Sequence, residues 1–389
     1  MLPINVTIAR PELWNNSNTR YSGATLMLPA TAVEIEDAMD RARIYEGHAL
    51  EVVECIDANG YEMDYLPEKP SLTMLNLLAH KLDSLEDYEH TLFIGMCKME
   101  KEPPSMIRML NITENLQDCL SIPADNYTEL GKFYLDNDFI EESASLSDEL
   151  FDCFDPAKIG RMMQKREGGI FIEGKIHKNY VIYNGSEIRE VYNENNLPEI
   201  PVYETGYVFA LDIKNKETGD IDSLDLPIEA LDISDLSRHY DVLKGECIVP
   251  QLSESICAYS HYDIYELNSL AQKISNIIER GDYPKYKAML SAFEADSLTD
   301  AMNLADTIDD YDFLPDVFCA EDYGMDVFLR SYNINPDDPA LKHIRLADYG
   351  VNMMAEHNAE KIEYGFIRPS LNLQQEQKHN SGIGGMNSL

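Results

Sequence analysis

The stretch that decides the fold occurs twice. Glu266-Leu-Asn-Ser-Leu-Ala-Gln-Lys-Ile274 aligns without gaps with Met74-Leu-Asn-Leu-Leu-Ala-His-Lys-Leu82, and both carry apolar residues at the spacing of one helix face. A residue suited to cap a helix precedes each stretch, Asp263 in the second case and Ser71 in the first. The sequence therefore predicts a capped, half-buried helix at two places roughly half the chain apart.

Other short motifs return in the same order around these two helices. The matched pairs are Tyr207 to Ile213 with Leu2 to Arg10, Leu226-Pro227 with Leu28-Pro29, Tyr323-Gly324 with Leu130-Gly131, Ala347 to Gly350 with Ala157 to Gly160, and Ile362 to Ile367 with Phe171 to Ile176. One such match could arise by chance, but a full set in register could not. We interpret the pattern as a tandem duplication of a unit of roughly 170 residues.

The periodicities predict an α+β fold in which each copy is built of small antiparallel-sheet and helical subdomains. A segment with Pro198 and Pro201 separates the copies, and a Gln-, Asn- and Gly-rich end is predicted to be disordered. The predicted division is a first unit at 1–183 (subdomains near 1–68, 69–140 and 141–183), a linker at 184–204, a second unit at 205–370 (subdomains near 205–260, 261–332 and 333–370) and a tail at 371–389.

The charge of the chain is strongly negative and is shared by both halves. There are 70 acids against 31 bases in 389 residues, a net charge of −39. Counted as phosphates, that is the charge of about 20 base pairs of DNA. Such a balance excludes DNA binding through a basic face, and a protein with a basic groove is the natural partner.

The acids concentrate at the same place in each copy. Ala288 to Leu329 holds eleven carboxylates and no Lys or Arg, and Asn111 to Pro156 holds twelve with Lys132 as its one base. Apolar residues are interleaved, so these stretches should be folded. The candidate partner-binding acids are Glu294, Asp296, Asp300, Asp306, Asp309, Asp310, Asp312, Asp316, Glu321, Asp322 and Asp326, with Glu114, Asp118, Asp125, Glu129, Asp136, Asp138, Glu141, Glu142, Asp148, Glu149, Asp152 and Asp155.

A helix in the second acidic stretch is predicted to hold its charges at fixed spacing. Ser297 with Asp300 three residues later predicts an N-cap, and Leu298, Met302, Ala305 and Ile308 form one apolar stripe. Asp300, Asp306 and Asp310 then lie about 6 to 9 Å apart along the axis. That is about two to three rises of one DNA strand, so the surface can imitate nucleic acid. A plain solvated face is the alternative interpretation.

The sequence lacks several common motifs of catalysis and cofactor binding. It contains no G-x-x-x-x-G-K-[ST], G-x-S-x-G or H-E-x-x-H pattern. A zinc site from His239, Cys247, Cys257 and His261 is a weak alternative, because its spacing is irregular and the first copy lacks it. The seven scattered cysteines include no C-x-x-C, and the N-terminus has no signal-peptide pattern. We therefore expect a cytoplasmic protein with no enzymatic activity, cofactor or metal.

The repeat resembles the ArdA antirestriction family. The resemblance rests on the Leu-Pro helix start, the Tyr265-Glu-Leu-Asn268 helix, the acidic segment through Asp322-Tyr-Gly324, and Ala347-Asp-Tyr-Gly350 with the strand at Ile362 to Ile367. It implies an elongated protein of three small α+β domains per unit that mimics B-form DNA. It also implies a target: the DNA groove of a type I restriction–modification enzyme. Family members are usually single units that pair as homodimers, whereas this chain holds two.

Several functions remain open at this stage. The favoured one is a non-enzymatic DNA mimic of a phage or mobile element that inhibits a type I restriction–modification enzyme. A mimic directed at another nucleic-acid-binding defence complex, such as a CRISPR effector, is an alternative. A carboxylate-dependent metal hydrolase and a plain acidic adaptor are alternatives from other classes. We expect no direct nucleic-acid or membrane binding, and a monomeric pseudo-dimer in preference to a homodimer.

Overall fold

The computed structural model describes residues 4–15, 21–56, 63, 65–140, 154–173, 178–185, 187–199, 207–255 and 262–370. These residues form an α+β protein with four three-stranded sheets. The strand pairings described in three of these sheets are all antiparallel. Within the described ranges, no helix is both long and apolar enough to cross a membrane.

The described part of the first half has two helices between the strands of its first sheet, three helices after that sheet, and two more between the strands of its second sheet. Its elements are β1 (Ile4–Ala9), α1 (Pro11–Trp14), β2 (Ala24–Leu28), α2 (Ala32–Arg41), β3 (Glu51–Ile56), α3 (Leu72–Asp83), α4 (Asp87–Met99), α5 (Met106–Thr113), a 3-10 turn (Leu116–Asp118), β4 (Cys119–Pro123), α6 (Tyr127–Asp136), α7 (Pro156–Glu167), β5 (Ile170–Ile172) and β6 (Asn179–Tyr183).

The second half runs through a closely similar series. Its elements are β7 (Phe209–Asn215), β8 (Ile221–Leu226), α8 (Ala230–His239), β9 (Tyr240–Cys247), α9 (Pro250–Ser255), α10 (Ile264–Glu279), α11 (Tyr283–Ala292), α12 (Leu298–Asp306), a 3-10 turn (Ile308–Asp310), β10 (Tyr311–Leu314), α13 (Ala320–Tyr332), a 3-10 turn (Pro339–His343), α14 (Leu346–His357), β11 (Glu360–Ile362) and β12 (Gly365–Pro369).

Sheet topology is the same in the two halves. The first sheets have the orders β2-β1-β3 and β8-β7-β9, and the second sheets have the orders β4-β6-β5 and β10-β12-β11. The predicted subdomain boundaries at 140/141 and 332/333 divide the second sheets. Those sheets begin with β4 and β10, because these strands pair with β6 and β12 some fifty residues later in the chain. Strand pairing over such a distance leaves no local sequence signal.

The repeated Leu-Asn helices bind the backbone just after the repeated Leu-Pro motifs. Buried Asn76 accepts a hydrogen bond from the Ala30 N–H and donates one to the Ala30 carbonyl, both at 2.8 Å. Asn268 holds Ile228 in the same way, at 2.8 and 3.1 Å. Each peptide bond that precedes these segments, Leu28-Pro29 and Leu226-Pro227, is cis. Two motifs that the sequence matched separately are therefore one structural contact in each half.

The repeated glycines also meet each other. A Cβ on Gly131 would lie 1.8 Å from the Pro156 carbonyl oxygen, and one on Gly160 would lie 2.0 Å from the Tyr127 oxygen. In the second half, a Cβ on Gly350 would lie 1.7 Å from the Ala320 oxygen. Helices α6 and α7, like α13 and α14, thus pack backbone to backbone, and only glycine permits this approach.

The described chain divides into two compact units. Unit 1 comprises 1–7, 25–30 and 51–201, and unit 2 comprises 8–24, 31–50 and 202–389. This division differs from the predicted one, because two N-terminal segments join the unit formed by the second half. A buried ion pair connects one of these segments, 31–50, to the rest of unit 2. The Lys287 ammonium lies 3.2 Å from an Asp37 oxygen and 2.6 Å from an Asp40 oxygen.

The predicted linker at 184–204 is held to unit 1 over part of its length. The side-chain oxygen of buried Asn111 accepts hydrogen bonds from the backbone of Val191 and Tyr192, at 2.6 and 2.8 Å. Asn115 binds the backbone of Arg189. These residues therefore belong to a packed segment. The predicted tail at 371–389 lies outside the described residues.

Candidate functional site

The acidic stretch of the second half folds only in part as the sequence predicts. Helix α12 ends at Asp306, and Ile308 and Asp310 lie in the 3-10 turn that follows, so Asp300, Asp306 and Asp310 do not share one helix axis. Ser297 caps α12, since its Oγ accepts a hydrogen bond from the Asp300 N–H at 3.1 Å and donates one to the Asp300 carboxylate at 2.5 Å. Leu298, Ala305 and Ile308 are buried, and Met302 packs against the same core. With one face fixed in this way, the carboxylates of the stretch project from an ordered surface.

Exposure separates the eleven candidate acids of this stretch into two groups. Asp312, Asp322 and Asp326 are half-buried. The exposed ones are Glu294, Asp296, Asp300, Asp306, Asp309, Asp310, Asp316 and Glu321. Most of the predicted charge is therefore available to a partner.

Basic residues from other parts of unit 2 reach this stretch. These cations therefore neutralise part of the negative charge of the stretch, although the stretch itself contains no Lys or Arg. The hydrogen bond from Arg280 lowers the pKa of Asp309. Ion pairs that involve the candidate acids are Lys273–Asp306, Arg280–Asp309, Arg10–Asp316, Arg330–Asp326 and Arg368–Asp312.

Asp322 has a structural task at the start of α13. One of its oxygens accepts hydrogen bonds from the backbone of Phe318 and Cys319, both at 3.1 Å. A carboxylate at this position satisfies backbone N–H groups that the helix itself cannot bind. Asp322 is thus a capping residue, and its carboxylate binds backbone N–H groups of its own chain.

One ion pair occupies corresponding positions in the two halves. In the aligned stretches Lys273 corresponds to Lys81, and each lysine binds an acid at the C-terminal end of a later helix, α12 or α5. The pairs are Lys273–Asp306 and Lys81–Glu114, the latter at 2.7 Å. Burial raises the pKa of Glu114, but hydrogen bonds from Lys81 and Tyr192 outweigh it and leave that pKa below its usual value.

The described acids of the first half divide in the same way. Asp155 caps α7, since it accepts a hydrogen bond from the Ala157 N–H at 3.0 Å. Asp125 accepts one from the Lys178 N–H at 2.7 Å, and Glu129 accepts one from the Asp125 N–H at 2.8 Å. Five predicted acids lie outside the described residues: Glu141, Glu142, Asp148, Glu149 and Asp152.

The candidates that remain form the group best suited to an external partner. Within the described part of the chain, their carboxylates have no hydrogen bond or ion pair, and all are exposed. We call them the unpaired acids. They are Glu294, Asp296, Asp310 and Glu321 in the second half, and Asp118, Asp136 and Asp138 in the first.

Sequence reasoning missed a further group of acids on the β7–β9 sheet. Asp225 and Glu246 lie on either side of Ala210 in one row of the sheet and are exposed. Asp222, which lies in β8, is also exposed. These acids are sparse along the chain and become neighbours only through strand pairing. The one local signal was the placement of acids among the residues of β8.

The geometry gives no support to a metal site. In the ranges that the structure describes, no group of three or more His, Cys, Asp and Glu side chains could hold a metal ion. Asp309 and Asp312, two neighbouring acids of the second acidic stretch, bind Arg280 and Arg368. Of the four possible zinc ligands, Cys257 and His261 lie outside the described residues.

A scan against protein-family models finds no family that matches this chain, and a search of curated proteins finds no match either.

Proposed function

We propose that this protein is a non-enzymatic DNA mimic that inhibits a bacterial defence complex. The favoured target is the DNA-binding groove of a type I restriction–modification enzyme, and the family resemblance of the repeat is what selects it. The proposal places the protein in the cytoplasm, where such enzymes act. Another nucleic-acid-binding defence complex is the second choice within the same class.

The observation that carries the proposal is the position of the unpaired acids on ordered elements of both halves. Asp296 precedes α12, Asp310 ends a 3-10 turn and Glu321 lies in the first turn of α13. Asp118 ends the corresponding 3-10 turn of the first half, and Asp136 ends α6. Fixed carboxylates with no internal partner present a constant negative field, which is what a groove built for phosphates recognises.

Tandem duplication is part of the proposal. It is supported by the common element order, the shared sheet topology, the two Asn contacts and the two close glycine contacts. Each half carries charge equal to about ten base pairs. One chain would then supply both halves of a mimic that single-unit relatives build by pairing. We therefore expect a monomer in solution, which light scattering will test.

Competition with duplex DNA is the direct test. We expect the chain to displace a labelled duplex from a type I methyltransferase core, with an apparent affinity that falls as salt rises. The slope of that fall should be shallower than for DNA, because fixed carboxylates release fewer counterions than a duplex does. If the core binds DNA and this protein together, each at full affinity, the mimic hypothesis is wrong.

A matched pair of quadruple variants shows whether the unpaired acids act as a surface. The test variant is Glu294→Gln, Asp296→Asn, Asp310→Asn and Glu321→Gln. The control variant makes the same change in charge at exposed acids outside both acidic stretches: Asp83→Asn, Glu102→Gln, Glu279→Gln and Glu360→Gln.

We expect the test variant to lose about tenfold in inhibition and the control variant less than about threefold, with each single change contributing under about 1 kcal/mol. Equal losses in both variants would mean that total charge matters and this surface does not. A single change that abolished inhibition in a folded protein would indicate a hot spot or a catalytic residue instead.

A further inference from the structure

A cavity in unit 2 has a charge opposite to that of the chain. Its volume is about 440 Å³, and Tyr21, Arg41, Arg43, Phe318, Lys361 and Glu363 are among its lining residues. Three cations and one acid therefore face a single space in a protein of net charge −39. These residues come from distant parts of the sequence, so no local motif reveals the cavity.

Arg43 is the buried cation of this cavity. The residue is 6% exposed, and its Nε has no hydrogen-bond partner in the described part of the chain. Its guanidinium lies 4.7 Å from the centre of the Phe318 ring, and its one described side-chain hydrogen bond is a long one, 3.4 Å, to the Glu363 carbonyl. A guanidinium has five N–H donors, so most of the donor capacity of Arg43 is unused.

The Arg41 side chain is positioned by an ion pair with a buried acid. Its Nε donates to an Asp37 oxygen at 2.9 Å, and Asp37 is itself held by buried Lys287. The carboxylate of Glu363, which also lines the cavity, lies 3.7 Å from the Arg41 Nε. Lys361 is exposed at the rim and has no ion pair with any described residue.

Among the described residues, Arg43 and Lys361 have no ion pair with a carboxylate, whereas Arg41 binds Asp37. Glu363 is 70% exposed, so its carboxylate is well solvated and displaceable. Asp316 and Asp322 interact with Arg43 only by long-range electrostatics, without a hydrogen bond to it. The Asp322 carboxylate instead accepts hydrogen bonds at the start of α13. Burial lowers the pKa of Arg43, and this effect outweighs the opposing influence of Tyr45, Tyr21 and the two acids.

We propose that this cavity binds a small molecule that carries a phosphate group. Two guanidinium groups and one ammonium group suit a phosphate, because guanidinium donors match its oxygens in pairs. The volume exceeds what inorganic phosphate needs and leaves room for a small organic group. Glu363 occupies part of the space that the phosphate takes, so binding displaces its side chain toward solvent. This proposal does not depend on DNA mimicry.

Calorimetric titration of the full chain with inorganic phosphate and with ribose 5-phosphate is the test, at ionic strength held constant with chloride. We expect one saturable site, with the sugar phosphate bound more tightly than phosphate alone. Phosphate alone bound as tightly would limit the site to the free anion and overturn the organic part of the proposal. Absence of saturable binding for both probes would overturn all of it.

Two exposed positions locate the site without risk to folding. Lys361→Gln should weaken binding by about threefold to tenfold, whereas Glu363→Gln should strengthen it by a similar factor, because it removes the competing carboxylate. Lys342→Gln, an exposed lysine away from the cavity lining, is the control and should leave binding unchanged. If all three variants bind like the parent, the anion binds elsewhere and the cavity is not the site.

Discussion

The sheet that ends each half shows how one strand order accommodates two different cross-strand pairs. Strand β6 pairs with β4 so that Leu120 faces Ile182, and β12 pairs with β10 so that Asp312 faces Arg368. The first pair is apolar. The second is an ion pair whose arginine side chain is fully buried.

The ion pair continues into a chain of polar contacts. The Arg368 guanidinium donates to the Tyr323 hydroxyl at 3.0 Å, and that hydroxyl lies 2.9 Å from the His357 Nδ1. Leu130 stands where the second half has Tyr323. The two halves thus differ in these side chains, while their strand order and their glycine contacts are the same. A fold tolerates the replacement of both members of a side-chain pair. It does not tolerate an added side chain where two backbones are in contact.

The largest effect is expected from breaking the polar pair on one side. Arg368→Ile should lower the free energy of unfolding by about 3–5 kcal/mol, because it leaves Asp312 half-buried without its cation. The double variant Asp312→Leu with Arg368→Ile copies the apolar pair of the first half and should recover most of this loss. Urea unfolding followed by circular dichroism measures both. If the double variant is as unstable as the single one, the arginine acts through Tyr323 and the pair does not matter.

A smaller effect is expected from the contact that the halves share. Gly350→Ala and Gly160→Ala should each cost about 1–3 kcal/mol, because the new Cβ meets a backbone oxygen that cannot move aside. Helix propensity alone predicts the opposite sign, a gain of about 1 kcal/mol.

Asn352→Ala, at an exposed position of α14, is the control for Gly350 and should change stability by less than about 0.5 kcal/mol. Thermal and urea unfolding give the comparison. Similar losses in the free energy of unfolding at the two glycines would support the structural correspondence of the two halves. An alanine that stabilised the protein at either position would contradict it.

The smallest effect concerns the ion pair that both halves keep. Glu114→Gln should cost less than about 1 kcal/mol at pH 7. Because the pKa of Glu114 is lowered in the folded state, its contribution is present above its unfolded value of about 4.3 and is lost as pH falls through the lower, folded value. The difference from the parent should therefore shrink below about pH 4.

Unfolding measured at pH 7 and near pH 3.5 tests this dependence, with Asp118→Asn as the control. Asp118 is an exposed neighbour without an ion pair to any described residue, so its variant should match the parent at both pH values. A difference for Glu114→Gln that stayed constant with pH would show that the lost interaction is a neutral hydrogen bond.

Much of the local structure could be predicted from the sequence. The Ser297 cap and the Asp263 cap are confirmed, and the predicted apolar stripe is confirmed for the residues that lie within α12. Leu75, Leu78 and Leu82 are buried on α3 as their spacing indicates. Ser71 precedes α3 as expected, but its side chain makes no capping hydrogen bond. Such features depend on contacts within a few residues, and therefore leave a pattern in the chain.

The candidate site was less predictable. The exposed acids lie where the sequence indicates them, but it gave no sign that Lys273, Arg280 and Arg368 would neutralise three of the candidates. DNA mimicry stays a prediction.

By itself, the sequence determined the types of element, their order in the two halves and the total charge. Each of these follows from composition or from short-range hydrogen bonding and periodicity. Tertiary structure alone decided which acids remain unpaired, that two N-terminal segments join unit 2, and that Arg41, Arg43 and Lys361 share one cavity. The physical reason is that ion pairing and cavity lining depend on distances between residues hundreds of positions apart. Those distances are fixed only when the apolar cores close.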